Sequence, residues 1–425
     1  MSHFYLTPRF LESIKHYSKA QLVKDLIAGI IVAIIALPLS IALAIASGVG
    51  PAAGVYTAIV AGFVVSFLGG SSVQIAGPTA AFATIVAGIV ATKGMSGLIL
   101  ATLLAGVILI LLGVCKAGGL IRFVPETITV GFTSGIAVTI LLGQLKDFFG
   151  LQYAEGTVAV ETIEKMEANF AAIATFSWQA LVIGAVSLAI LIFYPKWEKK
   201  IPPSLIAVIV GILVVKFIPG MEDKVFTIGD LYEIPSGLPS FTLGEVDFSL
   251  SAIASVLPNA LTIAVLAAIE SLLSCVVADG MVGGKHNPNA ELVAQGTGNM
   301  LSVMFGGIPA TGAIARTAAN VKNGGRTPVA GMVHAAVLLL VVLFLVPVAE
   351  LIPMPTIAAI LFMVAYNMSE WRKFVSMVKK EKWTGILVLI LTFLLTVIFD
   401  LVVAIAVGLA LALVFHIVGK IKKKI

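Results

Sequence analysis

Two charged side chains sit where apolar residues dominate. Glu270 lies in the middle of the run Leu257–Asp279, which otherwise has the length and composition of a membrane span. Arg316 follows one turn inside a second apolar segment, which opens Gly306-Gly307-Ile308-Pro309. A charge at the centre of a bilayer costs about 2.5–3.5 kcal/mol on insertion scales, so such residues face a cavity or a partner. Ser274 is one helical turn beyond Glu270, which puts a hydroxyl and a carboxylate on one face. An acid and a base at mid-depth beside a broken helix suit the transport of a charged solute. The plainer alternative is an ion pair between Glu270 and Arg316 that locks two spans together. Buried pairs stabilise weakly, which favours a coupling role for Glu270, while for Arg316 neutralising Glu270 and providing a field for an anion stand equally.

Other chemistries fail on spacing. The five histidines are scattered without ligand periodicity, which argues against a metal site. The stretch Gly280-Met281-Val282-Gly283-Gly284-Lys285 hints at a phosphate loop, but His286 follows the lysine where Ser or Thr is required. No nucleophile elbow is present. Ion gradients are left as the energy source, with no cofactor beyond a coupling ion, H⁺ or Na⁺.

Composition places these residues in a membrane. Hydrophobic residues make up 59% of the 425-residue chain and charged residues 12%, with a mean hydropathy of +1.09. Soluble domains carry about a quarter charged residues, so this is an integral membrane protein. Cys115 and Cys275 both fall in apolar segments and read as small core residues.

Apolar runs at about 26–45, 51–68, 79–92, 97–114, 125–145, 174–194, 204–218, 255–278, 290–306, 312–321, 328–346, 353–366, 384–399 and 401–419 are candidate spans. With the N-terminus inside, alternation sends most of the 27 basic residues to the same side. Among them are Arg9, Lys24, Lys116, Lys196, Lys285, Lys322, Arg326, Lys373 and the tail Lys422–Lys424. That bias predicts cytoplasmic termini in a cell membrane, the inner one in a bacterium. It also assigns the basic excess to topology and not to nucleic acid.

The third run begins after Gly77-Pro78 and reaches only Lys93, and the tenth covers only Gly312 to Val321. At 1.5 Å per residue these span roughly 21 and 15 Å, short of the roughly 30 Å hydrocarbon core. Each reads as an extended segment followed by a half-helix. Pro78 and Pro309 are 231 positions apart, and the same shift carries Leu39 onto Glu270. The fold class expected is therefore an all-α polytopic membrane protein of fourteen spans, built as a seven-plus-seven inverted repeat. In such repeats broken helices meet at the midplane and aim their N-termini at an anion.

The segments expected are a cytoplasmic N-terminal stretch 1–25, a first repeat 26–218, an external linker 219–252, a second repeat 253–419 and a basic tail 420–425. Ile163, Met166 and Phe170 recur at helical spacing in the external loop 146–173, as in a helix lying on the bilayer surface. Trp371–Lys382 reads as a basic collar at the lipid surface on the other side. Asp400 is the nearest rival of Glu270 as a deep acid, but it falls at a break between spans.

Several motifs carry a resemblance. Ile269-Glu270-Ser271-Leu272-Leu273-Ser274, Ala278-Asp279-Gly280-Met281, His286-Asn287-Pro288-Asn289, Glu291-Leu292 and Gly306 through Thr317 resemble the SulP family of anion transporters, relatives of the animal solute-carrier-26 proteins. Ala36-Leu37-Pro38 and Gly77-Pro78-Thr79 are similar to the family's first-half signatures, and Asn367-Met368-Ser369-Glu370 to its dicarboxylate branch. The resemblance implies a core of spans 1–4 and 8–11 and a gate of spans 5–7 and 12–14, with elevator-type alternating access. It places a small inorganic or dicarboxylate anion (sulfate, bicarbonate or a C4-dicarboxylate) at Thr79, Ala80, Ala81, Phe82, Thr311, Gly312, Ala313, Ile314, Ala315 and Arg316. Glu270 and Ser274 stand at the positions where bicarbonate relatives hold sodium. Here Glu replaces Asp and Ile314 replaces a hydroxyl, which favours a proton. A homodimer in the lipid bilayer is also implied. The family's C-terminal STAS domain has no counterpart in this sequence, so the dimer contact is expected from the gate.

Overall fold

The structure, a computed structural model, describes residues 6–15, 17–119, 125–154, 157, 159, 161–198, 201–234, 237–243, 246–399 and 401–422. Asp400 and the tail residues 423–425 lie outside the described residues.

A short helix α1 (Arg9–Ile14) precedes α2 (Lys19–Ala46), which is capped by Ser18 and continues through Pro38. Next come α3 (Pro51–Leu68), the two-residue strand β1 (Ala76–Gly77) and α4 (Ala80–Val114). Gly94 interrupts α4 with φ 68° and ψ −176°, a conformation that glycine adopts without a Cβ penalty. The half-helix expected to end at Lys93 and the following span are thus two pieces hinged at one residue. Then α5 (Glu126–Phe149) leads to α6 (Thr162–Ala171), α7 (Trp178–Phe193), α8 (Pro203–Phe217) and the single turn α9 (Ile228–Leu231).

The second half opens with α10 (Leu250–Val282), capped by Ser249 at its start and by the left-handed Gly283 at its end. Asn287 caps α11 (Pro288–Met304), with Pro288 in its first turn. Strand β2 (Thr311–Gly312) and the short α12 (Ile314–Lys322) follow, then α13 (Val329–Phe344), α14 (Val346–Glu350) and α15 (Met354–Met368). The chain continues through α16 (Trp371–Lys380), α17 (Trp383–Ile398) and α18 (Leu401–Lys422). Every run marked in the sequence carries a helix. Six described helices are long and apolar enough to cross a membrane by themselves. Lys19 and Leu250, which open α2 and α10, keep the 231-residue offset.

Two groups of helices pack among themselves. One comprises α2, α3, α4, α10, α11, α12 and α13; the other comprises α5, α7, α8, α15, α17 and α18. They meet where α15 and α8 lie against α2, α4 against α5, and α10 against α18.

Loops assigned to one side by charge are gathered at one end. There the Arg9 amide donates to Gly69 O at 3.0 Å and the Asn287 amide to Gly70 O at 2.9 Å, while the Arg9 side chain reaches the Lys285 carbonyl. Asp25, fully buried, accepts from the Arg326 amide at 2.9 Å and the Thr327 hydroxyl at 2.6 Å. It also accepts from Tyr17. Burial, with the Asp25 carboxylate, pushes the Tyr17 phenol up to about 12, so it remains a donor at neutral pH. At the opposite end the Thr242 amide donates to Met304 O and the Ile228 amide to Ile352 O, both at 2.9 Å.

On α6, Ile163, Met166 and Phe170 are exposed together, as its spacing anticipates. Cys275 is buried, but Cys115 is exposed because it falls just past the last turn of α4 and not within the apolar face.

The α4–α11 contact depends on two glycines. A Cβ on Gly106 would sit 2.7 Å from Gly296 O, and one on Gly296 would sit 2.5 Å from Gly106 O. Backbones this close are a small-residue device of membrane helix packing. Gly106→Ala is therefore expected to destabilise by about 1–3 kcal/mol through overpacking. Gly88→Ala, whose Cβ would meet nothing within 4 Å, should be neutral or mildly stabilising. Thermal unfolding of the two purified variants in detergent checks the contrast.

Candidate functional site

The two extended segments that interrupt the bundle are paired with each other. Ala76 lies opposite Gly312 and Gly77 opposite Thr311 in an antiparallel ladder. The ladder is extended by the Ala313 amide, which donates to Ile75 O at 2.8 Å. Immediately after the ladder come the N-termini of α4 and α12, at Ala80 and Ile314. Two sets of unsatisfied helix-start amides and two positive dipole ends are therefore held side by side.

Glu270 on α10 joins the two segments. Its Oε2 accepts the Thr79 hydroxyl at 3.1 Å and the Thr311 hydroxyl at 3.0 Å. Neither threonine caps a helix through its side chain. Thr79 is at the N-cap of α4 without a capping bond, and Thr311 lies in β2, ahead of the N-cap residue Ala313. One turn along α10, the Ser274 hydroxyl donates to Thr317 Oγ1 at 3.4 Å. Ser274 thus braces α12 from behind, whereas Ser271, the residue after Glu270, accepts the Gly312 amide at 3.0 Å.

Arg316 does not pair with Glu270 among the described ion pairs. Its guanidinium is 1% exposed, and Nη2 donates to Ser40 Oγ at 3.3 Å and Pro78 O at 3.2 Å. Its Nε and Nη1 have no protein partner. The charge therefore sits beside the entry of α4 with no carboxylate against it. Room for it exists because residue 77 is glycine: a Cβ there would be 2.2 Å from Arg316 Nη1.

Exposure divides the residues marked in the sequence. Ala80, Ala81, Phe82, Thr311, Gly312 and Arg316 are buried in the packing. Thr79, Glu270 and Ala313 are partly accessible, and Ile314 (45% exposed) and Ala315 are open. The accessible patch thus lies at the start of α12 beside Glu270, with the remaining residues as its buried support.

Sequence reading missed four contributors. Ser40 supplies the span-one polar contact that Leu39 cannot, and Ser271 receives a β2 amide. Gln74 and Glu291 bond to each other at 2.7 Å in the interior. In the sequence Glu291 is named only within the motif Glu291-Leu292, with no role assigned to it. The available signal was the polar set Gln74, Glu291, Gln295 and Asn299 in otherwise apolar segments.

Gly77→Ala is expected to push the guanidinium off the Pro78 carbonyl. Overpacking there should cost about 1–3 kcal/mol. Thermal unfolding of Gly77→Ala and of Gly77→Ala with Arg316→Ala checks this. The second substitution removes the clash and should recover part of the loss.

Comparison with known proteins shows the family and agrees with the fold. The profile described as the Sulfate permease family matches residues 22–392. A putative sulfate transporter of Bacillus subtilis is 45% identical over 391 residues, covering 91% of this chain and 72% of its own length. A bicarbonate transporter of Synechocystis is 32% identical over 74% of this chain and 55% of its own length, so the chain spans little more than half of that relative. The solved transmembrane domain of a cyanobacterial bicarbonate transporter superposes with a TM-score of 0.81 at 31% identity, covering 92% of this chain and 98% of that one. The murine solute carrier 26 member A9 anion transporter, in its inward-facing state, shares the fold at 19% identity and a TM-score of 0.86, over 98% of this chain and 72% of its own. The chain belongs to the sulfate permease family of membrane anion transporters.

Proposed function

We propose that this chain is a secondary carrier of a small anion (sulfate, bicarbonate or a C4-dicarboxylate), bound between the N-termini of α4 and α12 and driven by protons through Glu270. The observation that carries the reading is the paired β1–β2 ladder, which sets two helix N-termini beside a buried guanidinium with two free nitrogens. Helix N-termini favour anions through unpaired amides and the helix dipole. A buried cation without a carboxylate partner favours an anion in the same place. The small, partly accessible Ala313 leaves the start of α12 approachable.

Glu270 supplies the coupling in this reading. As a carboxylate it holds the Thr79 and Thr311 hydroxyls and repels an incoming anion. Protonation removes the repulsion and frees those hydroxyls to turn toward the anion. Proton and anion then cross together. The moving unit is the group containing α2–α4 and α10–α13, riding against the group of α5, α7, α8, α15, α17 and α18. Sodium is the second reading, because the Glu270, Thr79 and Thr311 oxygens converge. A hard cation takes about six oxygen ligands, and Ile314 contributes none.

Proteoliposome uptake of labelled sulfate, bicarbonate and succinate separates these readings. A carrier saturates and concentrates one of them under an inward proton gradient. Current without concentration would mark a channel, and dependence on external sodium with indifference to pH would mark the sodium symporter. Glu270→Gln, which mimics the protonated side chain, is expected to keep anion exchange while losing acceleration by the proton gradient; a Gln variant that still concentrates substrate removes the coupling role. Ala313→Leu is expected to lower uptake at least tenfold in a folded protein. Normal uptake by that variant would place the anion elsewhere.

A further inference from the structure

The acid most thoroughly enclosed near the ladder is Glu291, and nothing in the coupling scheme uses it. It is 0% exposed, and no ion pair among the described residues involves it. Its Oε2 accepts the Gly70 amide at 3.0 Å. Its Oε1 accepts Gln74 Nε2 at 2.7 Å and Gln295 Nε2 at 2.9 Å. Three neutral donors, from the chain before β1 and from the next turn of α11, thus converge on one carboxylate.

Gln74 passes this constraint on. Its Nε2 also donates to Ser271 O at 3.3 Å, and its Oε1 accepts the Cys275 thiol at 3.2 Å. Both residues lie on α10, next to or one turn from Glu270. Its carboxamide also packs against β2: a Cβ on Gly312 would sit 2.2 Å from Gln74 Nε2. The Gly312 amide is held in turn by Ser271. One carboxamide therefore touches the segment leading to α4, the segment leading to α12 and the helix that carries Glu270.

We propose that Glu291 is a positioning residue of the anion site, which through Gln74 sets the separation of the α4 and α12 N-termini. The proposal rests on the site described under the proposed function, but its geometric part stands apart from transport. A buried carboxylate must keep its donors, because an unmet charge in a low-dielectric interior is costly. The donors are thereby held at fixed points, and Gly70 and Gln74 bracket the turn into β1. A role in packing alone would require only the size of the side chain; this role requires a carboxylate facing a carboxamide.

That requirement gives a reciprocal test. Glu291→Gln turns an amide NH₂ toward donors that need an acceptor. Gln74→Glu sets two carboxylates together without a cation. Combining the two restores a carboxylate–carboxamide contact with its direction reversed. Gln295 can follow by flipping its amide, because its Oε1 now has no partner.

The experiment measures KM and maximal rate of labelled sulfate, bicarbonate and succinate exchange for wild type, both single variants and the double variant. Folded fraction is followed by size-exclusion chromatography. Each single variant is expected to raise KM at least tenfold, and the double variant, which regains the contact with residue 291 but not the bond from residue 74 to Ser271 O, to lower it at least threefold from either single. Single variants with KM within twofold of wild type overturn the proposal, as does a folded double variant no better than either single.

A second measurement covers variants that fail to fold and a wild type that exchanges none of the three anions, which would be a failure of the transport reading. Nitroxides are placed through Thr84→Cys on α4 and Ala318→Cys on α12, in a background of Cys115→Ser and Cys275→Ser. Electron–electron distance distributions are then compared with and without the neutral Gln74→Met. A shifted or broadened distribution supports the positioning role whatever the transport result, and an unchanged one overturns it.

Discussion

Backbone amides cannot be left unpaired against lipid, and the middle of this protein contains two stretches of chain that are not helical. Everything around them answers that constraint. Residues 73–78 and 308–313 pair with each other for two residues, and side chains from the surrounding helices supply the remaining partners. Asn320 donates to Val73 O, and Thr317 accepts the Ile75 amide. Arg316 donates to Pro78 O and Thr57 accepts the Ile308 amide. Asn299 bonds both the amide and the carbonyl of Ala310. The polar residues of an otherwise apolar bundle are thus concentrated where the backbone leaves its helices.

The same constraint explains where small residues fall. A polar side chain can reach a buried backbone only if nothing stands between, and glycine at 69, 77 and 312 leaves room for Glu291, Arg316 and Gln74. Gly106 and Gly296 serve the complementary purpose of bringing α4 and α11 together. Dispersion contacts between closely approaching helices supply much of the attraction in a membrane, where lipid is as apolar as the helix surfaces. The rigid support of the ladder and the polar wiring within it therefore draw on one resource, the absence of side chains at chosen positions.

The proposed carrier reads these features as one device. The helices that wire the ladder, α2, α3, α10, α11 and α12, all belong to a single packing group, while the other group contributes no hydrogen bond to the ladder among those described. A site built wholly on one group can move with that group without being dismantled. This is what alternating access by relative motion of two bodies requires. Membership of the sulfate permease family agrees with a small anion as cargo, and in the proposed site the helix N-termini would supply binding without a dedicated basic side chain in the open patch.

Much of the architecture was legible in the sequence because the bilayer acts on local properties. Hydropathy of a run marks a span, glycine and proline before a short run mark a broken one, and the bias of lysine and arginine sorts the loops. None of these depends on which helix packs against which. Glu270 was visible for the same reason, since a carboxylate in an apolar run stands out wherever it ends up. The partners of that carboxylate were not visible. Sequence spacing put Ser274 on its face, yet the fold gives the contact to Thr79 and Thr311, which are brought from 191 and 41 residues away. The plainer alternative paired Arg316 with Glu270, but α12 carries the guanidinium to Ser40 and the Pro78 carbonyl instead. Glu291 entered the sequence reading only as part of a motif, and it is a buried hub because Gly70 and Gln74 fold onto it. Local composition decided what enters the membrane; the pairing of distant polar groups, which depends on three-dimensional proximity, was decided by tertiary structure alone.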